Sequence, residues 1–248
     1  MLEAVAIFAA GLAAGGINTI VGSGTLITFP TLIGFGYDPV VANVSNTVGL
    51  VPGSVAGAIG YREELTGQRA RAIRLAFASG LGGIVGAVLL LVLPGSAFNA
   101  IVPGFIAIAL VLVVIQPRVA RWVATRRQEE PERAGPFALF GLFVGGVYGG
   151  YFGAAQGIII IAILGLALNE SLHRLNAIKN VLAGLTNLVA AIIFIVVAHV
   201  DWRAAALIAV GSTIGGHFGA RFGRRLPPAA LRGLIVVVGT FAIVKLVI

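Results

Sequence analysis

Long apolar runs separated by short polar or arginine-bearing stretches make up almost the whole chain. They cover about residues 4–36, 40–60, 75–93, 98–116, 136–168, 175–199, 203–220 and 228–248. Most are near the ~20 residues that a helix needs to cross a bilayer. Two, 4–36 and 136–168, are too long for one crossing, and both carry glycines near their middles. In "GGINTIVGSGTLITFP" (15–30) glycines, an asparagine and hydroxyl side chains interrupt the apolar pattern, and "GGVYGGYFGAAQG" (145–157) does the same further on. Each long run is read as a broken helix, with the breaks at "VGSGT" (21–25) and "FGAAQG" (152–157).

Composition narrows the class. The 248 residues are 58% hydrophobic and 10% charged, with a mean hydropathy of +1.03. A soluble domain carries about 25% charged residues, so this chain cannot cover a water-facing surface. The fold class is an all-α polytopic membrane protein of 8 apolar segments and up to 10 helices, with the lipid bilayer as its first partner. A formal charge of +8 could point to nucleic acid. The arginines instead cluster in short loops between apolar runs, which is the positive-inside pattern, and no nucleic acid is expected. No cysteine is present, so thiol catalysis and cysteine-ligated metals are excluded. The N-terminus lacks a charged n-region and an A-x-A-type cleavage site, and it is read as the first membrane segment.

Arginine placement predicts topology. Residues 61–74 hold Arg62, Arg69, Arg71 and Arg74; residues 116–133 hold five arginines; residues 221–232 hold four. If all three stretches are cytoplasmic, 136–168 must go in and return as a hairpin. The same argument on 4–36 puts both termini outside, in a multi-pass protein of the inner (plasma) membrane. The two halves also align. Gly15–Gly22 matches Gly146–Gly153 at an offset of 131, and after an insertion Gly24, Asn43 and Ser54 match Gly157, Asn176 and Asn187 at 133. Residues 1–116 and 135–248 are therefore read as two inverted repeats, each a re-entrant or fully crossing hairpin plus three crossings, joined by a cytoplasmic linker at 117–134. Inverted repeats with broken helices are the architecture of secondary transporters.

Candidate chemistry follows from the breaks. Broken backbone at membrane depth survives only against protein or a wet cavity. The freed N–H groups of a following half helix favour an anion. Gly22, Ser23, Gly24 and Thr25 at the first break, and Gly153, Gln156 and Gly157 at the second, are candidate binding residues, with Asn18 one turn behind and Tyr148 near the matching position. For Gly11, Gly141 and Gly145, close helix packing is preferred. "NVSNT" sets Asn43, Asn46 and Thr47 on one helical face; "NAIKN" sets Asn176, Lys179 and Asn180 on another, which Asn187 continues. Lys179 either snorkels to the interface or supplies the counter-charge of an anion. Glu170 is expected to pair with Arg174 or His173. Asp38 reads as a helix cap, His217 as a histidine hydrogen-bonded within the bundle, and Trp122 and Trp202 as interface anchors. No hydrolase, P-loop or zincin motif is present, so neither an enzyme nor a cofactor is expected.

These motifs resemble a known family. "GGINTIVGSGTLITFPTLIGFGYDPVVANVSNTVGL" is similar to the N-terminal repeat of the sulfite exporter TauE/SafE (TSUP) membrane transporters. "GGVYGGYFGAAQG", "LNAIKNVLAGLTNLVAAIIF" and "GSTIGGHFGARFGRRLP" look like its second half. The resemblance implies two four-segment halves and the transport, by export, of small sulfur-containing anions such as sulfite and organosulfonates. An anion channel is the alternative. Proton coupling and a homodimer are both compatible with it. One departure stands out: Ala155 occupies a position where the family often has glycine, and Gln156 one where a small hydroxyl residue is frequent.

Overall fold

The computed structural model describes residues 1–125, 135–222 and 228–247. Ten helices run through these residues: α1 (Leu2–Ile20), α2 (Thr25–Gly34), α3 (Pro39–Gly60), α4 (Arg69–Val92), α5 (Gly95–Thr125), α6 (Pro136–Tyr151), α7 (Gln156–Ala167), α8 (Leu172–Val197), α9 (Trp202–Phe222) and α10 (Pro228–Val247). No strand occurs among the described residues. Both long apolar runs are broken where the glycines predict, and α5 continues through Pro117 to Thr125. The rest of the expected linker, 126–134, and part of the 221–232 stretch lie outside the described residues.

The two breaks are built alike. At the end of α1, the N–H groups of Val21 and Gly22 both donate to Ile17 O (2.7 and 3.1 Å), and Gly22 has φ +83°. At the end of α6, Phe152 and Gly153 both donate to Tyr148 O (3.0 Å each), with Gly153 at φ +77°. A left-handed residue just past a helix end turns the chain out of the helix, and glycine adopts that conformation without a Cβ penalty. The chain then doubles back. Gly24 lies against Ala14 and Asn18 of α1, and the open end of this first hairpin is closed by Tyr37 donating to Glu3 at 2.8 Å.

The loops sort to two ends. Glu3, Tyr37 and Lys245 gather at one, where Tyr37 and Lys245 line a common recess. At the other, Glu170 pairs with Arg71 (2.8 Å) and Arg174 (2.7 Å). As expected, Glu170 finds Arg174; Arg71 is the partner that the sequence did not single out. Helix α1 starts at the first end. Helix α6 starts at the second, where Ala138 joins Leu75, Leu164 and Leu175 in an apolar cluster. Asp38 caps α3, accepting from Val40 and Val41 at 2.9 and 3.1 Å, with Pro39 at the first helical position.

Each broken helix lies along an unbroken helix of the other half. Helix α1 packs on α9 and α6 on α4, while α3 and α8 meet each other. The contacts are backbone to backbone. A Cβ on Gly15 would sit 2.1 Å from Ser212 O, and one on Gly146 would sit 2.2 Å from Ser79 O. Lipid gives no hydrophobic drive to helix association, so close van der Waals approach through small residues takes over. Gly11, against Ile208, belongs to this packing as expected. Gly141 and Gly145 do not: a Cβ at either would meet only ordinary contacts of 3.4 Å or more. His217 is also placed differently from expectation. It lies exposed on α9 against the Phe218 ring, because its side of the helix faces away from the bundle while Gly215 and Gly216 face in. Trp122 and Trp202 are exposed near helix ends, as interface anchors require.

Between the breaks and the end bearing Tyr37 sits an aromatic cluster. Phe29 and Phe152 meet edge to face at 5.1 Å, and Phe105 meets Tyr148 at 5.3 Å, with Phe98 and Tyr151 completing the group. Phe29, Phe98 and Phe152 are fully buried.

Candidate functional site

The two breaks touch each other. Gly157 N donates to Gly22 O across the halves at 3.2 Å. A Cβ on either glycine would lie 2.5 Å from the other's Cα. Only two glycines let the backbones cross this closely, which accounts for glycine at both Gly22 and Gly157.

The Lys179 side chain passes this crossing and ends at the tip of α1. Nζ donates to Asn18 O and Thr19 O, both at 3.0 Å. Asn176 and Asn180, one turn apart on α8, each donate from Nδ2 to Thr19 O at 3.3 Å. Lys179 is 1% exposed, so it does not snorkel. Its ammonium sits where the unpaired carbonyls of α1 gather partial negative charge, which offsets much of the cost of burying a cation. The donors are in surplus: Thr19 O has two lone pairs and receives three donors.

The matching group on α3 behaves differently. Asn43 Nδ2 donates to Tyr151 O at the tip of α6 (2.9 Å), the counterpart of Asn176 at α1. Asn46 stands where Lys179 stands in the other half, but it turns to the start of α2. It accepts a short hydrogen bond from Thr28 and donates to Thr25 Oγ1 at 3.4 Å. Thr47 bonds back to Asn43 O within its own helix. Among the described residues, the α6 tip therefore has an amide and no cation.

Other candidates mainly shape the breaks. Tyr148 OH donates to Ala154 O at 2.6 Å, closing the second loop. Gln156 donates to Gly145 O at 3.2 Å and fills the space beside Gly149, tying α7 back to α6. Ala155 has φ +59°, a left-handed conformation that costs a side-chain-bearing residue about 1–2 kcal/mol, which suits glycine at this position. Asn18 and Asn187 both donate to Ser54 Oγ, at 3.4 and 3.5 Å. Ser23 Oγ is fully buried and, with Asn43 Oδ1 and Tyr151 OH, has no hydrogen-bond partner among the described residues. The N–H groups of Ser23, Gly24 and Thr25, at the start of α2, donate to no backbone carbonyl among those residues. Sequence reasoning missed Thr28. It is an ordinary residue of an apolar helix until the fold sets it against Asn46.

The sequence profile of the sulfite exporter TauE/SafE family matches residues 7–246. The chain belongs to the sulfite exporter TauE/SafE family. Relatives of this TauE/SafE chain include the probable membrane transporter protein YfcA of Escherichia coli K12, 24% identical over 241 residues, covering 97% of this chain and 88% of the relative. A probable membrane transporter protein of Haemophilus influenzae is 24% identical over 245 residues, with 97% and 93% covered. The probable membrane transporter protein ORF9 of a Sinorhizobium species is 24% identical over 243 residues, with 97% and 90% covered. No solved structure matches the TauE/SafE chain.

Proposed function

We propose that this membrane transporter of the TauE/SafE family is a secondary transporter, working as an exporter, of small sulfur-containing anions such as sulfite or organosulfonates. The observation that carries the reading is the surplus of donors at the tip of α1: one ammonium and two amides converge on Thr19 O. A small oxyanion offers what the helix tip offers, clustered acceptor oxygens with negative charge, and it has lone pairs for all three donors. Movement of α1 away from α8 leaves a buried positive charge that an anion satisfies. Ser23 Oγ and the free N–H groups of α2 supply further donors beside the crossing.

The loop arginines support a cytoplasmic location for the end bearing Arg71 and Arg174 and an outer one for the end bearing Tyr37. With α1 and α6 starting at opposite ends, the two halves act as inverted repeats, 1–116 and 135–248, with the anion between them. Rocking one half against the other then gives alternating access. The packed aromatic cluster of Phe29, Phe98 and Phe152 beside the breaks supports a carrier over an open channel, since a carrier needs one side closed at a time. The test is flux in liposomes. Saturable sulfite or sulfoacetate uptake with counterflow is expected, and Lys179→Met should abolish it while the protein still inserts. Single-channel current steps, or undiminished flux in Lys179→Met, would refute the proposal.

A further inference from the structure

One cavity adjoins the donor cluster and shares Asn180 with it. About 360 Å³ in volume, it opens along the seam of α3 and α8. Its polar lining is Ser54 and Asn180, and both belong to the α1 tip: Ser54 accepts from Asn18, and Asn180 donates to Thr19 O. Arg62, in the loop after α3, marks its arginine-bearing end. Between these charged and polar limits the walls are apolar, with Val55, Ala58, Ile59 and Leu188 among them. An inorganic oxyanion gains nothing from such walls, and they would leave most of its oxygens unsatisfied. An anion with a short apolar tail fits the whole: the head beside Asn180 and Lys179, the tail along α3 and α8.

We propose that the α3/α8 cavity is a tail site for an amphiphilic organic anion, a sulfonate head on a chain of a few carbons, with Arg62 as its first electrostatic contact on the way in. This rests on the anion-transport reading above. It adds that the transporter selects for the apolar part of its substrate, through residues of α3 and α8 that make no contact with the head. Burial of apolar surface is the physical source of the selection, and each methylene fully buried tightens binding about fourfold.

The experiment is competition of unbranched alkanesulfonates, from methane- to butanesulfonate, against sulfoacetate counterflow in liposomes. In the natural protein the inhibition constant should fall by about twofold to fourfold per added carbon. Ala58→Phe, which fills the cavity, should flatten the series while methanesulfonate still competes. Val55→Thr, nearly isosteric, should make the series shallower and serves if Ala58→Phe does not fold. A flat series in the natural protein overturns the proposal, and so does a steep series that survives in both variants. Mass spectrometry of the purified protein adds a third arm. A phospholipid held by the natural protein and lost in Ala58→Phe, beside a flat sulfonate series, assigns the cavity to lipid. If sulfite is transported and no alkanesulfonate competes, the tail site fails alone; if no sulfur anion is transported, the functional reading fails with it.

Discussion

Gly157→Ala adds one methyl group where the two broken helices cross. The new Cβ would lie 2.5 Å from Gly22 Cα, 3.2 Å from Gly22 O and 2.9 Å from Lys179 Cδ. Non-bonded carbons rest at about 3.5–4.0 Å, so one backbone must retreat by about 1 Å. The Lys179 stem can bend, but the backbone of Gly22 cannot move without turning the first break. Overpacking of this kind costs about 1–3 kcal/mol. The same retreat lengthens the cross-break hydrogen bond, now 3.2 Å, beyond bonding range, for a further loss of about 1 kcal/mol. Alanine recovers at most about 1 kcal/mol of helix propensity at the start of α7. The net loss is about 1–3 kcal/mol. Gly104→Ala is the matched control: nothing lies within 4 Å of its Cβ position in the middle of α5, so it should gain about 1 kcal/mol. At about 2–4 °C per kcal/mol for a chain of this size, the apparent melting midpoints should separate by roughly 10 °C. They are to be read at one scan rate in one detergent, since membrane proteins commonly unfold irreversibly. Equal midpoints for Gly157→Ala and Gly104→Ala would mean that the breaks do not touch.

Two further outcomes are expected. Ser23→Ala removes a buried hydroxyl that has no partner among the described residues, so its melting midpoint should hold or rise, while anion affinity falls about threefold to tenfold; unchanged affinity in a flux or thermal-shift titration would remove Ser23 from the site. The chain contains no cysteine, so single cysteines report topology cleanly: in right-side-out vesicles an impermeant thiol reagent should label Phe35→Cys and spare Thr66→Cys, and the reverse pattern would invert the assigned orientation.

Much of the fold was legible because membranes make patterns simple. Apolar length alone marked the runs that could not be single crossings, and loop arginines required the second to return. The recurrence of glycine at Gly22 and Gly153 located both breaks, since a helix leaving at a left-handed residue favours one without a Cβ. Partners were not legible in the same way. Gln156 reads as a donor for substrate, but nothing in its spacing pointed to the bond to Gly145 O that ties α7 to α6. His217 looked like a bundle residue and faces outward, because a step of one residue around the helix from the buried Gly216 changes the side. Lys179 carried two readings in the sequence, and its burial at the α1 tip removes the snorkelling one.

Sequence by itself determined that this chain lives in a membrane, where its helices run, where two of them break, and which family it resembles. These follow from local composition and from spacing along one chain. Only the tertiary structure decided what the breaks are for one another. It brought Gly22 onto Gly157, 135 residues apart by their numbers (157 − 22), and set Lys179, Asn176 and Asn180 on the carbonyls of a helix 160 residues earlier. The physical reason is that a carbonyl carries no sequence signature. Every residue has one, and which of them faces a cation depends on where the helix carrying it is stopped and what is packed against its end.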